Sequence, residues 1–146
     1  MINPNSIFVD TAGWACLLLS GDVHNKLAAH YYSSAYREAQ RSKFPTIVTS
    51  NYVLSELVAV ITSRKIELRQ SAIKFVNILQ SEVHVTVIHI DKDTDQLGWD
   101  KLKMYTDKHW SLVDATSFIL MERLMIKNAL TTDVHFDQAG FERLLR

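Results

Sequence analysis

Apolar and polar positions alternate between two rhythms along this chain, and the rhythms predict its elements. Ile7-Phe8-Val9 is a short apolar run of strand type that ends at Asp10. Thr11 through Ser20 then reads as a helix, with Gly21-Asp22 as its exit. Residues from His24 to Ser42 lack Gly and Pro and mix polar with apolar types, which suits a long surface helix. Pro45-Thr46-Ile47-Val48-Thr49 is a second strand. Ser50 or Asn51 can cap the helix after it, where Val53, Leu57, Val60 and Ile61 share one face. A further helix is predicted over Leu68 to Gln80, with Ile73, Val76 and Leu79 inward. Val83 to Ile90 is the clearest strand, all Val, Ile or His apart from Thr86. Asp91 or Asp93 starts a helix toward Tyr105, and Ser111 another that extends to Leu124 or Met125. Asn128 to Thr132 is a short fourth strand, followed by Asp133 and a helical turn that ends at Gly140.

Strands separated by helices point to an α/β fold with a short, mostly parallel sheet. Two prolines and four glycines leave little punctuation, and no repeat or linker divides the chain. We expect residues 1–146 to form one domain, within the usual span of about 100–200 residues. Hydrophobic residues at 47% supply a core without help from a disulfide, which the single cysteine, Cys16, cannot form internally. The start lacks a signal-peptide pattern, and no apolar run approaches the ~20 residues of a membrane span. The expectation is therefore a cytoplasmic protein. The 16 basic and 16 acidic side chains cancel, which disfavours binding nucleic acid mainly through phosphate neutralisation. An enzyme that concentrates its acids around a cation remains compatible, since the rest of its surface would be net positive.

Four carboxylates sit where such a site would form. Asp10 and Asp133 end the first and last predicted strands, and in parallel sheets ligands bind beyond the strands' carboxyl ends. Glu56 lies in the first turns of the third helix and Asp114 in the first turn of a late one. Each also has a structural use. Asp10 can be an N-cap, Asp133 can cap the turn that follows it, and Glu56 suits the helix dipole. Asp114, three residues after Ser111, resembles a capping-box partner. Glu56 fits its structural use least well, because its neighbours Val53 and Val60 place it beside the apolar stripe.

Phe8-Val9-Asp10-Thr11, Tyr52-Val53-Leu54-Ser55-Glu56-Leu57, Ser111-Leu112-Val113-Asp114-Ala115 and Leu130-Thr131-Thr132-Asp133-Val134-His135-Phe136 together resemble the PIN-domain pattern. Each motif alone is weak, but the ordered set spans nearly the whole chain. It is most similar to the VapC-type toxins of toxin–antitoxin pairs. The resemblance implies a three-layer α/β/α sandwich and an endoribonuclease in which Asp10, Glu56, Asp114 and Asp133 bind Mg²⁺ or Mn²⁺. It also implies a homodimer and a small antitoxin protein that docks near the site. The stretch from Tyr105 to Ser111 resembles a subgroup with an extra acid, here Asp107, which a solvated loop would explain equally well. Hard divalent cations favour oxygen ligands, and a bound one acidifies water for attack on phosphorus. Thr11 and Thr131 could hydrogen-bond the carboxylates from behind.

Other features carry less. The six histidines show no zinc-type spacing. His84 and His89 read as strand residues on opposite faces, and His135 as a surface residue, with contact to substrate as the alternative. Cys16 reads as a buried small hydrophobe. Tyr31, Tyr32, Tyr36, Trp99 and Trp110 could stack bases but more often pack helices. Arg37, Arg41, Lys43, Arg64, Lys65 and Arg69 could hold RNA phosphates or form solvated faces, with phosphate contact slightly favoured. The rival class is a catalytically silent PIN-like module that binds RNA or protein. A receiver or phosphatase fold fits poorly, because Asp10 is followed by Thr11-Ala12-Gly13 rather than by a second acid.

Overall fold

The computed structural model describes residues 3–146. Five strands form one all-parallel sheet: β1 (Ile7–Val9), β2 (Ile47–Ser50), β3 (Val85–Ile88), β4 (Asn128–Leu130) and β5 (Glu142–Arg143). Their order across the sheet is β3-β2-β1-β4-β5. The helices between them are α1 (Thr11–Leu18), α2 (Asn25–Ser42), α3 (Asn51–Arg64), α4 (Arg69–Ser81), α5 (Lys92–Met104), α6 (Leu112–Leu124) and α7 (His135–Gln138). The parallel α/β fold is the one expected from the alternation of strands and helices, and its three-layer α/β/α form is the one the family resemblance implies. No described helix is long and apolar enough to cross a membrane.

The order of strands matters for the site. From β1 the chain crosses to β2 on one side, and β4 later pairs on the other. The direction of winding therefore reverses between β1 and β4, which opens a crevice beyond their carboxyl ends. β1 is the innermost strand and its three residues are buried, Phe8 and Val9 completely. Phe118 and Phe136 meet edge to face at 5.0 Å, and Trp110 packs on Phe118 at 5.1 Å. Replacing Phe8 by Ala would cost roughly 3–5 kcal/mol, as for other fully buried aromatics.

Gly13 sets how closely α1 approaches β4. A Cβ at this position would lie 2.0 Å from the Leu130 carbonyl oxygen, so no side chain fits without moving backbone. Trp14, fully buried, then donates from its indole to Thr49 Oγ1 (3.1 Å), and Thr49 donates to the Val9 carbonyl (2.9 Å). A buried hydroxyl left unpaired is costly, so this relay holds α1, β1 and β2 in one arrangement.

Several boundaries and one strand differ from expectation. β5 was not foreseen: two charged residues follow the Gly140 turn and pair with Asn128 and Ala129. The helix after β1 stops at Leu18, β4 stops at Leu130, and β3 spans only Val85–Ile88. His84 and His89 therefore flank β3 instead of belonging to it. On α4 Leu79 and Val76 pack inward as expected, joined by Ala72, whereas Ile73 is 40% exposed. Of the aromatics, Trp110 is buried and Tyr31, Tyr32 and Tyr36 pack on the core, whereas Trp99 is exposed.

Candidate active site

Each of the four acids reaches the crevice by a different local device. Asp10 follows β1 directly and stands at the N-cap position of α1, yet its side chain caps nothing. Glu56 projects from α3, whose N-terminus is fixed at the end of β2 by Ser50 Oγ accepting from the Val53 N–H (3.1 Å). Asp114 belongs to a complete capping box. Ser111 Oγ accepts from the Asp114 N–H (3.1 Å), and Asp114 Oδ2 accepts from the Ser111 N–H (3.0 Å). Asp133 accepts from the His135 N–H (2.9 Å), forming the turn after β4. The structural uses open to Asp114 and Asp133 are thus real, and they aim these carboxylates.

The acids form one electrostatic cluster. Asp10 is 3% exposed, and its carboxyl is pushed up to about 7. Burial is the main cause, Asp114 and Glu56 add repulsion, and the Thr11 N–H and Thr131 hydroxyl partly oppose them. Glu56 is half-buried and raised by burial, with Asp114 and Asp133 as the repelling neighbours. Asp114 is raised by burial and by Asp133, against the Ser111 N–H and His135. Every member is therefore coupled to at least two others. Carboxylates so gathered are costly without a counter-cation.

Thr131 links the two strand-end acids. Its hydroxyl donates to Asp10 Oδ2 (3.1 Å) and accepts from the Asp133 N–H (3.0 Å). Asp10 Oδ1 and Thr11 Oγ1 are buried with no hydrogen-bond partner; the Thr11 hydroxyl lies near Glu56 without a bond of ordinary geometry. Orphaned buried oxygens of this kind are rare in folded proteins. A donor set dominated by carboxylates, one oxygen of which is unpartnered, fits a hard divalent cation.

His135 joins this group. Its Nδ1 lies 3.0 Å from Asp114 Oδ2 and 3.4 Å from Asp133 Oδ1, and the three side chains offer ligand atoms within 4.8 Å of one another. The expectation of a surface position is corrected here. The available signal was its place two residues after Asp133, within the same tight turn. Asp107 stands apart. Its side chain is 73% exposed and meets the adjacent Lys108 at 3.4 Å. Of the basic candidates, Arg37, Arg41 and Arg69 have side-chain partners. Arg41 pairs with Glu38 at 2.6 Å, near Asn3 and Asn5 at the amino end of β1. Arg69 donates to Thr62.

The model of the PIN-domain family matches residues 7–142, a span that runs from β1 into β5 and contains all four acids. The chain belongs to the PIN-domain family. Among individual proteins, it is 32% identical over 138 residues to a protein of Mycobacterium tuberculosis described as the 23S rRNA-specific endonuclease VapC20, in two strains. That match covers 92% of this chain and 95% of the relative. The crystal structure of M. tuberculosis VapC20, described as a sarcin–ricin loop cleaving toxin, superposes with a TM-score of 0.75 at 35% identity, covering 93% of this chain and 96% of the other.

Proposed function

We propose that this chain is a metal-dependent endoribonuclease that hydrolyses RNA phosphodiester bonds, the toxin of a toxin–antitoxin pair. The observation that supports this reading is that Asp10, Glu56, Asp114 and Asp133, from four separate parts of the chain, repel one another, while Asp10 Oδ1 is buried without a partner and Asp114 and Asp133 lie within ligand distance of His135. A catalytically silent binding module would leave that costly arrangement without a use.

In this reading the four acids hold Mg²⁺ or Mn²⁺. When bound, such a cation supplies charge neutralisation at the phosphate and acidifies water for in-line attack. The chain's own contribution is orientation. Thr131 holds Asp10 from behind, and the capping box holds Asp114 before any cation arrives. His135, in its Nδ1–H tautomer, donates to Asp114 and steadies the carboxylate that faces Asp133. Asp107 plays no direct part.

Structured ribosomal RNA is the proposed substrate class, after the relative described as 23S rRNA-specific. A homodimer and a small antitoxin complete the proposal. The exposed Leu97, Trp99 and Met104 of α5 supply apolar surface for such contacts. The test is cleavage of ribosomes or ribosomal RNA by purified protein, with Mg²⁺ or Mn²⁺ and with EDTA. Cleavage that needs the cation and is lost in Asp114→Asn supports the proposal. Equal cleavage by that variant would remove its basis.

A further inference from the structure

We propose that Cys16, Asp22 and His24 form a second cation site, suited to Zn²⁺ or a similar transition metal, in the turn between α1 and α2. This site does not depend on the nuclease reading.

The spacing Cys-x₅-Asp-x-His matches no familiar metal motif, and the turn is what assembles it. The three side chains each present a ligand atom, and those atoms lie within 4.8 Å of one another. Sulfur, nitrogen and oxygen donors together suit a borderline cation, whereas the acid cluster beyond β1 and β4 offers chiefly oxygen. The two sites would therefore sort different ions.

The donors are held before a cation arrives. Asp22 Oδ1 accepts from the His24 N–H at 2.8 Å, which closes the turn. Asn25 Nδ2 donates to the carbonyls of Cys16 (2.8 Å) and Leu17 (3.4 Å), tying the end of α1 to the start of α2. Cys16 is 4% exposed, and its thiol faces the Asp22 carboxylate. A bound cation takes the place of the thiol proton, which leaves to solvent. An open cleft of about 480 Å³, lined by Gly21, Asp22, Lys65 and Leu68 among others, borders Asp22. Solvent therefore reaches the Asp22 side of the group.

Cobalt(II) is the direct probe, because a thiolate ligand gives it an intense near-ultraviolet charge-transfer band. Purified full-length protein is titrated with Co²⁺ under reducing conditions, and Zn²⁺ is then added. We expect a band that saturates at one equivalent, disappears as Zn²⁺ displaces the cobalt, and is absent in Cys16→Ser. Asp114→Asn should keep the band, which separates this site from the acid cluster. Because Cys16 is buried, a second variant guards against misfolding: His24→Ala, at a partly buried position, removes a donor without opening the core. It should weaken the cobalt affinity roughly tenfold or more. No band in the folded wild type, or unchanged affinity in His24→Ala, would overturn the proposal.

Discussion

Asp10 and Asp91 occupy the same kind of position and are put to opposite uses. Each precedes a helix at its N-cap, with nearly the same backbone: φ −86°, ψ 171° for Asp10 and φ −84°, ψ 172° for Asp91. Asp91 lies at the surface and accepts from the Thr94 N–H at 2.8 Å, and this bond holds its carboxyl below the usual range. Asp10 is buried beside other acids, caps nothing, and is raised to about 7. Backbone conformation therefore does not decide what an N-cap aspartate does. Water and charged neighbours do. The exposed one stabilises its helix, and the buried one costs stability that a cation can return.

The sharpest way to break this contrast is to neutralise each acid. Asp10→Asn should lower RNA cleavage by at least about a thousandfold, since a metal ligand supplies several kcal/mol of charge stabilisation and 1.36 kcal/mol is tenfold in rate. Asp91→Asn, assayed in parallel by single-turnover cleavage, should cut at the wild-type rate. Equal losses in both would erase the distinction.

Stability against pH gives the next effect. The folded chain keeps the Asp10 proton up to about pH 7, and the unfolded chain releases it near 3.8. The folded form thus binds more protons between these values, and metal-free stability should fall as pH rises through that window. The Asp10 contribution is on the order of 4 kcal/mol when complete above pH 7, and Glu56 and Asp114 act in the same direction. Denaturant titrations at pH 5 and pH 7.5 measure it. Asp10→Asn should flatten the dependence, and Mn²⁺ should stabilise the wild type more at the higher pH. A metal-free protein as stable at pH 7.5 as at pH 5 would mean that Asp10 is better solvated than described.

Smaller effects follow. Thr131→Val removes the hydroxyl behind Asp10 and should reduce cleavage or metal affinity about 10–100-fold. Asp91→Ala should cost about 1 kcal/mol in thermal or chemical denaturation, with cleavage unchanged. Asp107→Ala should alter stability by no more than about 0.5 kcal/mol and leave cleavage alone.

Much of this was legible in the sequence where the signals are local. The apolar triplet Ile7-Phe8-Val9 before Asp10 marked β1, and Ser50 and Ser111 marked the starts of α3 and α6. The capping partner of Asp114 was readable from spacing alone. β5 was not, because two charged residues carry no strand pattern and pair only through backbone supplied by β4. His135 and the Cys16–Asp22–His24 group escaped for a related reason. Turns bring them together, and no periodicity records which way a turn folds. Neither could spacing tell Asp10 from Asp91, since the difference lies in tertiary burial.

The missing methyl at Gly13 has a consequence for how this protein can vary. α1 and the end of β4 touch there with no side chain between them, and Asp10 and Thr131 flank the contact. Even alanine would act as a wedge, prising the first acid away from the hydroxyl that holds it. Position 13 therefore sets how closely Asp10 and Thr131 approach, as a spacer would, and a change there would shift the first acid without replacing it.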